Sequence, residues 1–346
     1  MRTSILKRSV CIGTAMLLAG CGGMTSPVTP GASGMSMAHR TTHAPCPLPK
    51  VWASQLSPAQ VEGYTGAGIA LACTVNNGAA CTGGPFKAPF GLASDSAGNL
   101  YVADVNNSRV CVFNKFGVYL ATNTTTLWPR GVCVAPNGVL GVAEEGVNGT
   151  GPGMVEFFGT PLLGGAATGS ATSPSALVAD TYQWCAFDLA GNFFATGTTA
   201  GTSPVQQIDY LTAADVNLPA QAMVASAITT AQYWVSMYVQ KKCSNTNGEV
   251  LAVANLAPEI VFFKINPGTG VPGPGGTTLP LTSYPTGTDD MDQDAPNKCS
   301  TKAEVYFADY GGGEVLDTKE YSGAIGVFNI AVPAAVGVAT NPTGQE

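Results

Sequence analysis

The sequence predicts an all-β fold, a six-bladed β-propeller that follows a leader and a flexible tether. Three observations predict it: a strand-and-turn unit that recurs down the chain, Gly and Pro spread without a period, and unfinished half-units at the two ends of the body. Of the 346 residues, 43 are Gly and 24 Pro, 45% are apolar and only 11% are charged. That mixture suits many short strands joined by turns, as in a sandwich, barrel or propeller. Self-similarity at a spacing of roughly 40 to 57 residues selects the propeller.

The clearest unit is residues 89–118, PFGLASDSAGNLYVADVNNSRVCVFNKFGV. Its period-2 runs rich in Val, Tyr and Phe alternate with Asn/Gly turns, which is a hairpin signal. It reads as a first strand over 91–94, a turn, a second strand over 100–105, a second turn and a third strand over 109–113, with a fourth opening after Gly117. The second strand and the turn before it recur at 98–104, 138–144, 191–197, 249–255 and 304–309. Third strands follow at 109–113, 154–158, 205–210, 259–265 and 314–321. These make five blades.

The sixth blade is divided between the chain ends. Residues 335–342 (AVGVATNP) have a first-strand pattern with no second strand after it. Residues 51–61 have a second- and third-strand pattern with no first strand before it, and 68–75 supply a fourth. Ends that complete one blade leave no open sheet edge. Six is the resulting count; the long connections of blades 3 and 4 leave five or seven open. Over about residues 49–346 the unit resembles the NHL repeat, strongly in 89–118 and more faintly in blades 3 and 5. The resemblance implies a closed propeller, an architecture that hosts enzymes, receptors and scaffolds alike.

Residues 1–20 read as a secretory leader. Arg2, Lys7 and Arg8 precede an apolar run over 9–19, which is too short to span a bilayer. Leu18-Ala19-Gly20-Cys21 then resembles the bacterial lipobox at all four positions. The resemblance implies cleavage before Cys21, a diacylglycerol on its thiol and a further acyl chain such as palmitate on its amine. Two or more chains suffice for stable anchoring, whereas one binds marginally. Gly22 follows the cysteine in place of Asp, which implies the outer membrane where the host has one. Residues 21–45 are small, polar and Pro-punctuated and read as a tether, with the propeller over 46–346. His39 and His43, the only histidines, lie in that tether and read as incidental.

The formal charge is −7, and loss of the leader removes three cations and no acids. No basic run survives, so neither a nucleic-acid footprint nor a basic membrane-binding cluster is expected. The expected contacts are the membrane, through the lipid anchor, and a protein or glycan partner. Beyond Cys11 and Cys21 the chain has eight cysteines, an even number that reads as disulfides in an exported protein. Cys73 and Cys81 flank a turn-rich segment and are the expected pair. Cys133, Cys185, Cys243 and Cys299 fall in or near first strands, where some would bridge neighbouring blades.

Chemistry is sparse. The propeller contains no histidine, which removes the amidating-lyase and streptogramin-lyase types and any Ser-His-Asp site. Lactonases of the senescence-marker-protein kind use a calcium-type centre of Glu, Asn and Asp on the axis, which this composition allows. Asp290, Asp292 and Asp294, in the run DDMDQD before blade 5, are the candidates, because alternating carboxylates can converge on a hard cation. Ala295 and Thr301 replace the Gly and the bidentate Glu of an EF-hand loop, so the alternative is a solvated acidic loop. Asp104, Glu144, Asn255 and Asp309 recur at one place in the repeat. Either they form a ring about the axis or each bonds the backbone N–H groups of the next turn, the commoner use. The expectation is an envelope propeller that binds without catalysis; the alternative is a calcium-dependent lactonase or hydrolase.

Overall fold

The computed structural model describes residues 47–75, 81–146, 152–172, 179–199, 205–230, 234–240, 250–255, 259–267, 269–280, 288–293, 304–309, 314–319, 325–329, 332 and 335–342. The second strands organise it. Leu100–Asp104, Leu140–Glu145 and Glu304–Asp309 carry apolar side chains on both faces, and almost every residue in them is buried. A strand buried on both faces needs a layer on each side. Stacking the blades around a ring supplies both layers.

Among the described residues there are six antiparallel four-stranded meanders. Blade 1 comprises Pro89–Ser94, Leu100–Asp104, Arg109–Phe113 and Tyr119–Thr124. Blade 2 comprises Trp128–Val134, Leu140–Glu145, Met154–Phe158 and Gly169–Thr172. Blade 3 comprises Ala179–Phe187, Phe193–Thr199, Gln206–Leu211 and Val224–Thr230. Blade 4 comprises Trp234–Gln240, Val250–Asn255, Glu259–Lys264 and Thr277–Pro280. Blade 5 comprises Thr288–Gln293, Glu304–Asp309, Glu314–Lys319 and Ile325–Asn329. Blade 6 is the divided one: Ala335–Thr340 pairs with Val51–Leu56, which continues to Ala59–Tyr64 and Ala70–Val75.

The six first strands touch one another in cyclic order, 6 to 1, 1 to 2 and so on round to 5 to 6, which closes the ring. Each neighbouring pair of blades shares an apolar core. Trp52, Phe86, Leu92 and Phe113 fill the one between blades 6 and 1, and Val51, Tyr64, Tyr306 and Val338 the one between 5 and 6. The direction of the meanders sorts the connections. First strands begin, second-to-third turns lie and fourth strands end at one end of the ring, here called upper. First-to-second and third-to-fourth turns lie at the lower end.

Two third-to-fourth connections do more than turn. In blade 2, Gly165–Ala166 pairs in parallel with Asn123–Thr124, the outer strand of blade 1. In blade 3, Gln221–Ala222 pairs in the same way with the outer strand of blade 2. Each strap covers an edge that would otherwise offer unpaired N–H and C=O groups.

The expected Cys73–Cys81 pair is corrected: Cys81 is bonded to Cys111. Cys81 turns into the core between blades 6 and 1, where Cys111 projects from the third strand of blade 1, so the bond ties the inter-blade connection to its blade. The side chain of Cys73 lies outside the described residues. Cys133 and Cys185, on the first strands of blades 2 and 3, are bonded to each other, so a disulfide does bridge neighbouring blades.

Candidate functional site: the upper axial mouth

The site begins with an irregularity shared by every first strand. Pairing with the second strand slips at Pro89/Leu92, Pro129/Gly131, Tyr182/Trp184, Trp234/Ser236 and Thr288/Asp290, and in blade 6 opposite Ser54/Gln55. A bulge leaves one residue unpaired and re-aims its side chain. The bulged residues form one ring near the upper end: Phe90, Arg130, Gln183, Val235, Asp289 and Val336.

The next residue in three of these strands is glycine, and the reason is space. A Cβ on Gly337 would strike the carbonyl oxygen of Phe90, one on Gly91 that of Arg130, and one on Gly131 that of Gln183. Blades 6, 1, 2 and 3 thus meet backbone to backbone at the axis. Ser54 Oγ reinforces the junction by donating to the Phe90 carbonyl at 2.6 Å. At the same register blades 3, 4 and 5 carry Trp184, Ser236 and Asp290, paired with Thr196, Ala254 and Ala308.

Apolar side chains from several blades meet at this level. The rings of Phe90 and Trp184, from blades 1 and 3, lie 5.8 Å apart, and both pack with Val336 and Met237. The Arg130 guanidinium sits 4.3 Å over the Phe90 ring, a cation–π contact. Its Nη1 meets Glu145 Oε1 at 2.5 Å, and Gln183 Nε2 donates to the same oxygen at 3.4 Å. Arg130 is a quarter exposed and Glu145 nearly covered, so the cation faces the upper opening above an aromatic floor.

Two of the recurring residues, Asp104 and Glu144, are engaged in holding the connections between blades. Asp104 Oδ1 accepts from the backbone N–H of Lys87 and Ala88, and Oδ2 accepts from Asn107 and Arg109. Arg109 in turn donates to the carbonyls of Thr82, Gly84 and Pro85. This buried pair therefore fastens residues 82–88 of the connection from blade 6 to blade 1. Glu144 does the same for the next connection: Oε2 accepts from Leu127 N at 2.8 Å, while Glu156 accepts from Thr126 N and Thr126 Oγ1. Burial pushes the Glu144 carboxyl well above the ordinary glutamate range, and the Glu156 carboxyl beside it adds to that. Asp209, held by Tyr182 and Gln207, is pushed up by burial, and those two donors pull the other way. Of the two alternatives for the recurring acid, backbone bonding is the one that Asp104 and Glu144 adopt. Asp309 is fully buried on the second strand of blade 5, and the side chain of Asn255 lies outside the described residues.

The acidic run before blade 5 is corrected from a loop to a strand. Thr288–Gln293 is extended and pairs with Glu304–Asp309 as the first strand of its blade, because Met291 and its neighbours complete the ladder with Phe307 and Tyr306. Asp290 and Asp292 therefore share one face of a strand, with Asp290 on the axial register. Their side chains, and Asp294 as a whole, lie outside the described residues, as do Cys21, His39 and His43. Arg130, Gln183, Phe90 and Trp184 were not anticipated. For Phe90 and Arg130 the signal in the sequence is the recurrent pattern of one residue, Gly and an aliphatic, Phe90-Gly91-Leu92, Arg130-Gly131-Val132 and Val336-Gly337-Val338, which Gln183 and Trp184 lack.

Comparison with known proteins agrees with this geometry. The NHL repeat family matches residues 86–113. No curated protein matches the sequence. Among solved structures, a chain of a nidogen/laminin complex is similar over 85% of this chain and 98% of its own, with a TM-score of 0.55 at 11% identity. A protein of unknown function from Bacteroides caccae is similar over 84% of this chain and 97% of its own, with a TM-score of 0.54 at 8% identity. At such identities the likeness speaks for the fold alone. The closed ring and these neighbours identify the fold as a β-propeller, one stretch of which, residues 86–113, matches the NHL repeat.

Proposed function

We propose that the protein is a cell-envelope lipoprotein, anchored through Cys21, whose propeller binds a protein or glycan at its upper axial mouth without catalysis. One observation carries the binding reading: at that mouth the described acids are already used to hold the molecule together. Asp104 and Glu144 each fasten an inter-blade connection, and Glu145 neutralises Arg130. An aromatic floor with a paired, partly exposed arginine suits recognition of a polar partner better than bond cleavage.

The calcium-dependent lactonase remains a second reading for one reason, the place of Asp290 on the axial register. Two measurements separate the readings. A metal held by the fold raises the melting temperature by mass action. The scaffold reading expects a flat melting temperature as calcium rises from micromolar to millimolar, and no lactone hydrolysis that Asp290→Asn removes. Calcium-dependent hydrolysis lost in Asp290→Asn would replace it with the enzyme. For the anchor, Cys21→Ser is expected to release the protein from membranes in soluble form; retention equal to the parent would overturn the lipobox reading.

A further inference from the structure

The upper mouth is uneven around its rim. Arg130 stands on blade 2, whereas Asp289 and Asp290 belong to blade 5, on the opposite side of the ring. At this end of blades 1 and 2 the described acids, Asp104, Glu144, Glu145 and Glu156, are all buried. The cations there are not: Lys87 is exposed and Arg130 a quarter exposed. The molecule as a whole is acidic, with a formal charge of −7, yet what this side of its mouth presents to solvent is cationic.

Arg130 is held firmly and only partly used. Its guanidinium lies 4.3 Å over the Phe90 ring, and Nη1 meets Glu145 Oε1 at 2.5 Å. Neither Nε nor Nη2 has an acceptor among the described residues, and Nε is buried. By covalent geometry these two nitrogens share the edge of the guanidinium turned away from Nη1. That edge is a planar fork, matched to the two oxygens of a carboxylate. A buried donor without an acceptor is unfavourable, and an oxygen brought to the edge relieves it. Side-chain adjustment of the rim, common on binding, gives the oxygen its access. Leu56, Ala88 and Trp128, at the upper ends of blades 6, 1 and 2, are half-buried and pack on the same axial cluster as Phe90. Trp128 is on the same strand as Arg130, two residues before it.

We propose that the upper mouth captures the free C-terminal carboxylate of a partner protein, gripped by Arg130, with the apolar last side chain of that protein against Trp128. The proposal rests on the reading of this mouth as a binding site and names what is bound there. A chain end brings one carboxylate, one amide and one side chain, which matches a single open arginine edge beside an apolar rim. An acidic sugar would bring several hydroxyl groups to the same rim, where Leu56, Ala88 and Trp128 offer them few partners. A long-chain acid would need an open channel, and below Arg130 the rings of Phe90 and Trp184 pack with Val336 and Met237. The guanidinium is already fixed by Phe90 and Glu145, so it loses little freedom when the carboxylate arrives. Lys87 adds an attraction that salt screens.

The test follows three probes on the full chain by saturation-transfer NMR: N-acetylleucine, N-acetylleucinamide, in which a neutral amide replaces the carboxylate, and D-glucuronate. The expected result is binding of N-acetylleucine, about tenfold weaker binding of the amide, and a similar loss of the acid in Arg130→Lys, which keeps a charge beside Glu145 but not the planar fork. If Arg130→Lys melts at a lower temperature than the parent, Arg130→Gln/Glu145→Gln, which removes both charges together, takes its place with the same expected loss. Equal binding of acid and amide overturns the proposal, as does undiminished binding of the acid in a stable Arg130 variant. Glucuronate bound as tightly as N-acetylleucine assigns the mouth to an acidic glycan and overturns the chain-end assignment. Binding of none of the three overturns it as well. The reading of the mouth as a non-catalytic binding site fails on a different measurement, calcium-dependent hydrolysis lost in Asp290→Asn, so the two failures are told apart.

Discussion

Glycine and glutamate carry opposite kinds of constraint at the axial mouth. Gly91 is needed because its neighbour is a backbone carbonyl that cannot give way, whereas Gly138 has open space and is needed only for its φ of +86°. Alanine at the two positions therefore separates overpacking from backbone strain. Gly91→Ala is expected to cost about 3 kcal/mol and Gly138→Ala about 1 kcal/mol, read from denaturant midpoints. Glu144 makes a pH prediction. Its folded-state proton affinity is raised, so the protonated form contributes stability that is fully present below the ordinary glutamate value of 4.5 and is lost as pH rises toward the folded-state value. The parent should lose more melting temperature than Glu144→Gln between about pH 5 and about pH 9. Equal losses would mean that Glu144 is not the titrating group. At this scale the sequence was legible only in part. The recurrence of Asp104 and Glu144 was visible, but what they bond was not, because a carboxylate looks the same whether it meets a metal or a peptide N–H. Arg130 and Gln183 were hidden because a bulge changes where a side chain points without leaving a residue type of its own.

At the scale of strands the sequence was far more informative. The second strands at 100–104, 140–145, 193–199, 250–255 and 304–309 stand where the repeats placed them, since a run apolar on both faces has only one home in a ring of stacked sheets. The acidic run at 289–294 misled because Asp disfavours strands on propensity; pairing with Glu304–Asp309 outweighs that preference. The straps at 165–166 and 221–222 could not be read, as two-residue parallel pairings have no periodicity to detect. Disulfide pairing was equally opaque from spacing, since it depends on which strands stack. Cys133–Cys185 joins two first strands across 52 residues. Its removal in Cys133→Ala/Cys185→Ala should cost about 2–4 kcal/mol of stability. The loss should appear as a lowered midpoint with the far-ultraviolet circular dichroism of the folded state retained; an unshifted midpoint would show that the bridge adds nothing to the blade 2–3 interface.

For the whole molecule, closure is the governing fact. Residues 335–340 lie between Val51–Leu56 on one side and the first strands of blades 1 and 5 on the others, and every residue of the strand is buried. Deleting residues 334–346 removes that strand and exposes the ladder of Val51–Leu56 together with the packing faces toward blades 1 and 5. The expected product is insoluble or rapidly cut by protease, whereas deleting residues 25–44 should leave the melting temperature nearly unchanged. Undiminished stability in the first deletion would show that the ring does not depend on its C-terminal strand.

That closure also sets a clock. The strand that completes blade 6 is the last one synthesised, yet its partner, Val51–Leu56, is the first strand of the body to be made. Pairing so distant in sequence is slow, because the intervening chain must be brought together before the contact repays the entropy lost. A nascent chain therefore cannot close the ring before Ala335–Thr340 has been made. A chain cut short before residue 335 lacks the closing strand, and is expected to stay open to proteases that the closed ring resists.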